Sequence, residues 1–150
     1  MIFRASNRTD PEQIFINVRN IAGATVSDGV PVEWDVASVT DGNSVTACKS
    51  GTGSLAGLFV GLTDASMADS AYGLVQVYGF RTSAYCSFAS ANSGIVAGDF
   101  LKPVGSHLEE QSMSAATTSG HIFVSLMETA GESAAGLSTV RYRNIFIRAL

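Results

Sequence analysis

The sequence predicts an all-β fold: a single small β-barrel or sandwich of about eight to nine short strands over residues 13–150, with an extended N-terminal arm over residues 1–12. Three observations predict it. Short apolar runs alternate with polar residues at a period of two, the signature of a half-buried strand. Turn formers such as Asp28-Gly29, Asp41-Gly42 and Asn92-Ser93-Gly94 interrupt these runs at frequent intervals. The composition is rich in Ser, Thr and Gly, and only 15% of residues are charged, against roughly 25% in ordinary soluble domains. No segment carries the apolar period of an amphipathic helix, and no fixed-period repeat is present.

Residues 1–12 hold Arg4, Ser6, Asn7, Arg8, Thr9 and Asp10, with Phe3 as the large anchor, and read as a polar arm that orders on a partner. Ile14, Ile16 and Val18 alternate with Phe15, Asn17 and Arg19 as a first strand. Val30, Val32, Trp34 and Val36 line one side of a second, with Pro31 at its start. Val45 to Cys48 follows as a short strand, and Ser50 to Ser54 as a loop.

The most informative stretch is 55–80. Ala56 to Leu62 is nearly all apolar, and Leu74 to Phe80 places Val75, Val77 and Gly79 opposite Leu74, Gln76, Tyr78 and Phe80. Arg81 to Ala91 reads as a further, returning strand with Ala84, Cys86 and Phe88 on one face. A Gly98-Asp99 turn leads into a short strand ending near Val104. Residues 105–120 read as a long surface loop, His121 to Glu128 as a strand, 129–138 as a loop, and 139–150 as the closing strand. The first and last strands are expected to pair or to lie side by side.

A chain of 150 residues suits one domain and buries about 68–70% of its unfolded surface, so it needs no metal or disulfide staple. The net charge of −4 is unevenly spread: residues 1–20 and 141–150 together carry +4, and the middle carries −8. Basic ends suit an acidic partner surface or a neighbouring copy, and direct nucleic-acid binding is not expected without clustered Lys and Arg. Cys48 and Cys86 are far apart and read as small apolar core fillers. The absence of a signal-peptide pattern and of a ~20-residue apolar span leads to the expectation of a soluble protein made in a cytoplasm, with no membrane partner.

The chemistry-bearing patterns are weak. Gly51-Thr52-Gly53-Ser54-Leu55-Ala56 has the spacing of a dinucleotide loop but lacks the βαβ context. His107-Leu108-Glu109 has the H-x-E of zinc deaminases without P-C-x-x-C. Two distant His and two distant Cys do not make a metal-ligand spacing, no nucleophile elbow is present, and Asp64 and Asp69 read as turn caps. The motifs of trimeric dUTP pyrophosphatases, whose size would fit, are missing. The expectation is therefore a protein with no catalytic, cofactor or metal site.

Gly57 to Asp64 followed by Ala71 to Gly79 resembles a motif of small β-rich bacteriophage capsid decoration, or cement, proteins. Asn20 to Val26 with Gly29 to Asp35, Val96 to Pro103, and Asn144 to Leu150 resemble further pieces of that family in the same order. The resemblance implies a protein on the capsid exterior of a virion that binds the major capsid protein and bridges capsid subunits, with no catalysis. It also implies a homo-oligomer, a trimer by preference. Phe3, Arg4, Arg8, Arg143 and Arg148 are the expected partner contacts, with the arginines meeting carboxylates. The competing readings are a receptor- or glycan-binding head of a virion fibre, which calls for exposed clustered aromatics, and a hydrolase, which calls for a convergent polar pocket.

Overall fold

The structure, a computed structural model, describes residues 12–36, 41–48, 58–87, 97–110, 124–127 and 141–149. These contain nine strands and no α-helix: β1 (Ile14–Asn20), β2 (Pro31–Trp34), β3 (Ser44–Ala47), β4 (Phe59–Thr63), β5 (Tyr72–Ser87), β6 (Phe100–Val104), β7 (His107–Glu110), β8 (Val124–Leu126) and β9 (Arg141–Arg148). The all-β expectation and the strand count hold. The arm expected over 1–12 lies outside the described residues except for Glu12, as do the Gly51–Ala56 loop and His121.

The strand pairings close two rings. The first runs β1-β3-β2-β4-β5 and returns to β1; the second runs β5-β7-β6-β8-β9 and returns to β5. Each ring has one parallel pair, β1 with β3 and β5 with β7, and every other pair is antiparallel. The two halves therefore have the same topology, with β5 acting as the last strand of one ring and the first of the next. No sequence repeat announces this duplication. Ring closure removes the open edges that would otherwise invite pairing with other chains.

Burial follows the pleat. In the first ring Val18, Val32, Val45, Val60, Val75 and Val77 form a valine-rich core with Val26, Val30 and Met67. β-branched side chains are stiff and suit a pleated, tightly curved wall. In the second ring Ala84, Cys86, Leu101, Leu108, Val124, Leu126, Ile145 and Ile147 form the other core. Phe59 and Leu62 of β4 belong to this second cluster while Val60 belongs to the first, so β4 is a wall between the two. Ala149 packs against both clusters.

Four expectations are corrected. Leu74–Phe80 and Arg81–Ala91 are not two strands: β5 runs unbroken from Tyr72 to Ser87, with a bulge between Arg81 and Ala84 in its pairing with β9. A bulge bends a strand without a turn sequence, and none stands at 80–83. Within 105–120, Gly105 and Ser106 make a tight turn and His107–Glu110 forms β7, held by the single buried apolar side chain Leu108. Val36 is exposed rather than continuing the buried row of Val30 and Val32, because β2 ends at Trp34. Finally, the first and last strands do not pair with each other; both flank β5.

Candidate functional site

Two features on the surface of β5 stand out, and both depend on its position between the rings. The first is a ladder of aromatic side chains. Ile145 and Ile147 of β9 face the core, so Tyr142, Asn144, Phe146 and Arg148 face outward. Three of them have aromatic register partners on β5: Tyr85 opposite Tyr142, Phe80 opposite Phe146, and Tyr78 opposite Arg148. The bulge keeps Tyr85 in step with the other two. The Tyr85 and Tyr142 rings lie 5.3 Å apart in a tilted pair, and Tyr78 meets Phe146 edge-on at 5.3 Å and 81°. These are the favoured arrangements for ring quadrupoles. Tyr142 is 58% exposed, and Ile14, opposite Tyr78 on β1, is also exposed.

The second feature is a polar pocket of about 200 Å³ beside the bulge, where β5 passes from the first ring to the second. Arg81 and Gln76 are its buried members, Arg81 only 6% exposed. The guanidinium lies 2.5 Å from Asp28 through Nη2 and 3.7 Å from Asp64 through Nη1, both carboxylates being 46% exposed. Nη1 also donates to Gln76 Oε1 at 3.5 Å, and Nε donates to the Ser83 carbonyl at 3.3 Å. Gln76, itself fully buried, donates to the carbonyls of Tyr78 and Phe80 at 3.2 and 3.1 Å. Gln13 donates to the same Phe80 carbonyl at 2.7 Å.

Local sequence explains how the carboxylates reach Arg81. Asp64 follows β4 directly, and its backbone N–H donates to the Leu74 carbonyl at 2.9 Å. Asp28 precedes Gly29, whose φ of +73° is costly for other residues, and a Cβ at 29 would meet the Ser83 carbonyl at 2.5 Å. Only glycine lets the turn lie this close to β5. Thr63 fixes the same turn: its hydroxyl donates to the Ser27 carbonyl at 2.6 Å and accepts from the Val30 N–H at 3.1 Å.

Among the residues expected to touch a partner, Arg148 is exposed at the end of the ladder. Arg143 shares the side of β9 that carries Ile145 and Ile147, and its Nε is buried, so it does not join the ladder. Phe3, Arg4 and Arg8 lie outside the described residues. His107 Nε2 lies 3.1 Å from Glu109 Oε1 on one side of β7. Among the described residues no group of three or more His, Cys, Asp or Glu converges as a metal site. Cys48 and Cys86 are both buried in the second core. Burial pushes the Cys48 thiol far above its ordinary pKa, and the Glu33 charge adds to the shift. Among the described residues no helix is long and apolar enough to cross a membrane.

Asp69, expected to cap its own turn, instead ties that turn to the one after β1: its Oδ1 accepts from the Gly23 N–H at 3.0 Å. Asp64 instead faces Arg81. The ladder is present in the alternation of Tyr78 and Phe80 and of Tyr142 and Phe146, but pairing these two segments requires the register. Arg81 carries no signal of its own, since its partners are remote in sequence. No protein-family model matches the chain, and no curated protein matches it in sequence.

Proposed function

We propose that this protein is a non-catalytic capsid decoration protein that docks on the outer surface of a bacteriophage head and bridges capsid subunits. The observation that carries a docking role is the outward-facing ladder of Tyr85, Tyr142, Phe80, Phe146 and Tyr78, ending in Arg148, in which Tyr142 and Arg148 are exposed and the other four half-buried. Tyr, Phe and Arg are the side chains enriched at the centres of protein interfaces, where Lys, Glu and Asp are depleted. The ladder holds five aromatics and one arginine, with no lysine or carboxylate. Four of its rings are held in two pairs, Tyr85 with Tyr142 and Tyr78 with Phe146, so little rotamer freedom is lost when a partner covers them. The capsid as partner comes from the resemblance of Gly57–Asp64, Ala71–Gly79 and Asn144–Leu150 to the decoration family.

Two closed rings that share one strand give a rigid body with the ladder on its outside. A small oligomer of such bodies touching several capsid subunits gains avidity beyond any single contact of about 800 Å² per partner. Quantitative mass spectrometry of purified virions tests the reading. A copy number comparable to that of the major capsid protein is expected. A few copies per particle would move the protein to a fibre or tail, and absence from the particle would overturn the reading.

A further inference from the structure

We propose that the pocket beside the β5 bulge binds a neutral saccharide. The charge pattern selects the ligand class. The Arg81 guanidinium sits between Asp28 and Asp64 and takes the place a metal ion would need. A divalent cation seated between the carboxylates would meet the fixed positive charge of Arg81 at contact range and be repelled by it. The two carboxylates oppose an anion in the same way. A neutral molecule bearing many hydroxyls meets neither penalty.

The polar groups suit such a molecule. Each carboxylate presents an oxygen beyond the one nearest Arg81, and a carboxylate accepts from two adjacent hydroxyls at once. Thr82 and Ser83, on the bulge itself, contribute hydroxyls that both donate and accept. Gln13 adds an amide held in place by its bond to the Phe80 carbonyl. Phe80 stands at the pocket's edge with its carbonyl already taken by Gln13 and Gln76, so the lining is almost wholly polar. At about 200 Å³ the pocket is smaller than the ~300–1,000 Å³ of drug-sized sites and accommodates one sugar unit. Arg81, buried and bonded on three sides, keeps this arrangement formed ahead of any ligand.

The inference is separable from capsid docking, because Tyr142 and Arg148 belong to the ladder and not to the pocket lining, and Phe80 is the one residue the two share. Amide chemical shifts of the intact protein, followed while neutral monosaccharides are added at millimolar concentration, test it. The panel is glucose, galactose, mannose and N-acetylglucosamine, with calcium chloride, inorganic phosphate and a sialic acid as contrasts. Saturable shifts at Gln13, Thr82 and Ser83 with at least one neutral sugar are expected. Asp64→Asn and Thr82→Trp alter exposed side chains, and each should weaken binding by about tenfold or more, as expected when a charge-assisted hydrogen bond is lost or the pocket is filled. Tyr142→Ser should leave sugar binding unchanged. Shifts at these residues with calcium or phosphate alone, no shift with any neutral sugar, or binding that survives both pocket substitutions would overturn the proposal.

Discussion

Arg81 Nη2 lies 2.5 Å from Asp28 Oδ1 and joins two residues that stand 53 positions apart in the chain. The bond ties the connection between β1 and β2 to the point where β5 leaves the first ring. Arg81 is buried but Asp28 is half exposed, so solvent screens part of the interaction. Arg81→Met should destabilise the fold by about 2 kcal/mol, chiefly by leaving Gln76 Oε1 without its donor in the interior. Asp28→Asn should cost less, about 1 kcal/mol. Chemical denaturation of both single variants and the double variant checks this; additive effects would mean that the two residues do not act together.

Asn20 is a fully buried polar side chain at the end of β1 with every group matched. Its Nδ2 donates to the carbonyls of Ala24, Met67 and Ala68 at 2.8, 3.0 and 3.1 Å, and its Oδ1 accepts from the Ala22 N–H at 2.9 Å. It holds the turn after β1 against the loop between β4 and β5. Asn20→Ala removes the partner of the Ala24 carbonyl and the Ala22 N–H and a second donor from the Met67 and Ala68 carbonyls, and should cost about 2 kcal/mol. Asn20→Asp replaces the donor by an acceptor facing three carbonyls, so it should cost more. Thermal melts of the two variants give the order directly.

Asp41 opens the turn before β3, and its carboxylate accepts from the N–H groups of Asn43 and Ser44 at 2.9 and 3.0 Å and from the Ser44 hydroxyl at 3.0 Å. The backbone bond from Asn43 leads in holding its pKa below the ordinary carboxylate value. A depressed folded-state pKa stabilises the fold above the unfolded value, and that contribution disappears as pH falls through the folded one. The stability advantage of the native protein over Asp41→Ala should therefore be full at neutral pH and shrink below about pH 4, the unfolded value for Asp. Urea midpoints at neutral and acidic pH measure it; an advantage that grows on acidification would contradict the bonding seen here.

Cys48 lies in the second core with its thiol pKa raised by burial. The thiolate is the reactive form, so Cys48 should resist a thiol reagent at pH 8 in the folded protein. Cys86, with no exposed surface, should resist as well. Two thiols per chain should titrate once denaturant is added. Rapid labelling of the native protein would show that the second ring opens readily.

Much of the fold is legible from alternation. Val75 and Val77 against Leu74, and Ile145 and Ile147 against Phe146, mark the buried faces of β5 and β9 by sequence period alone. What escapes is encoded by single residues or by distance. β7 is legible through Leu108 alone, amid polar neighbours, so its period cannot be read. The bulge at Arg81 has no turn sequence, so β5 reads as two strands. The duplicated topology is invisible because the first core is built from valines and the second from Leu, Ile and Cys. The pocket is hidden for a plainer reason: Asp28, Asp64 and Arg81 come from three separate segments, and pleated sequence carries no record of which loops meet.

Sedimentation tests most directly whether the β5–β9 ladder is the docking face. Capsids lacking this protein are mixed with the native chain or with Tyr142→Ser and Arg148→Glu variants and spun down. Native protein should co-sediment at near-stoichiometric occupancy. Both variants should stay folded, because both side chains are exposed, with Tyr142→Ser losing only its pair with Tyr85, and should lose occupancy by about tenfold or more, the loss expected of a central aromatic or arginine contact. Undiminished occupancy of folded variants would contradict a docking role for the ladder.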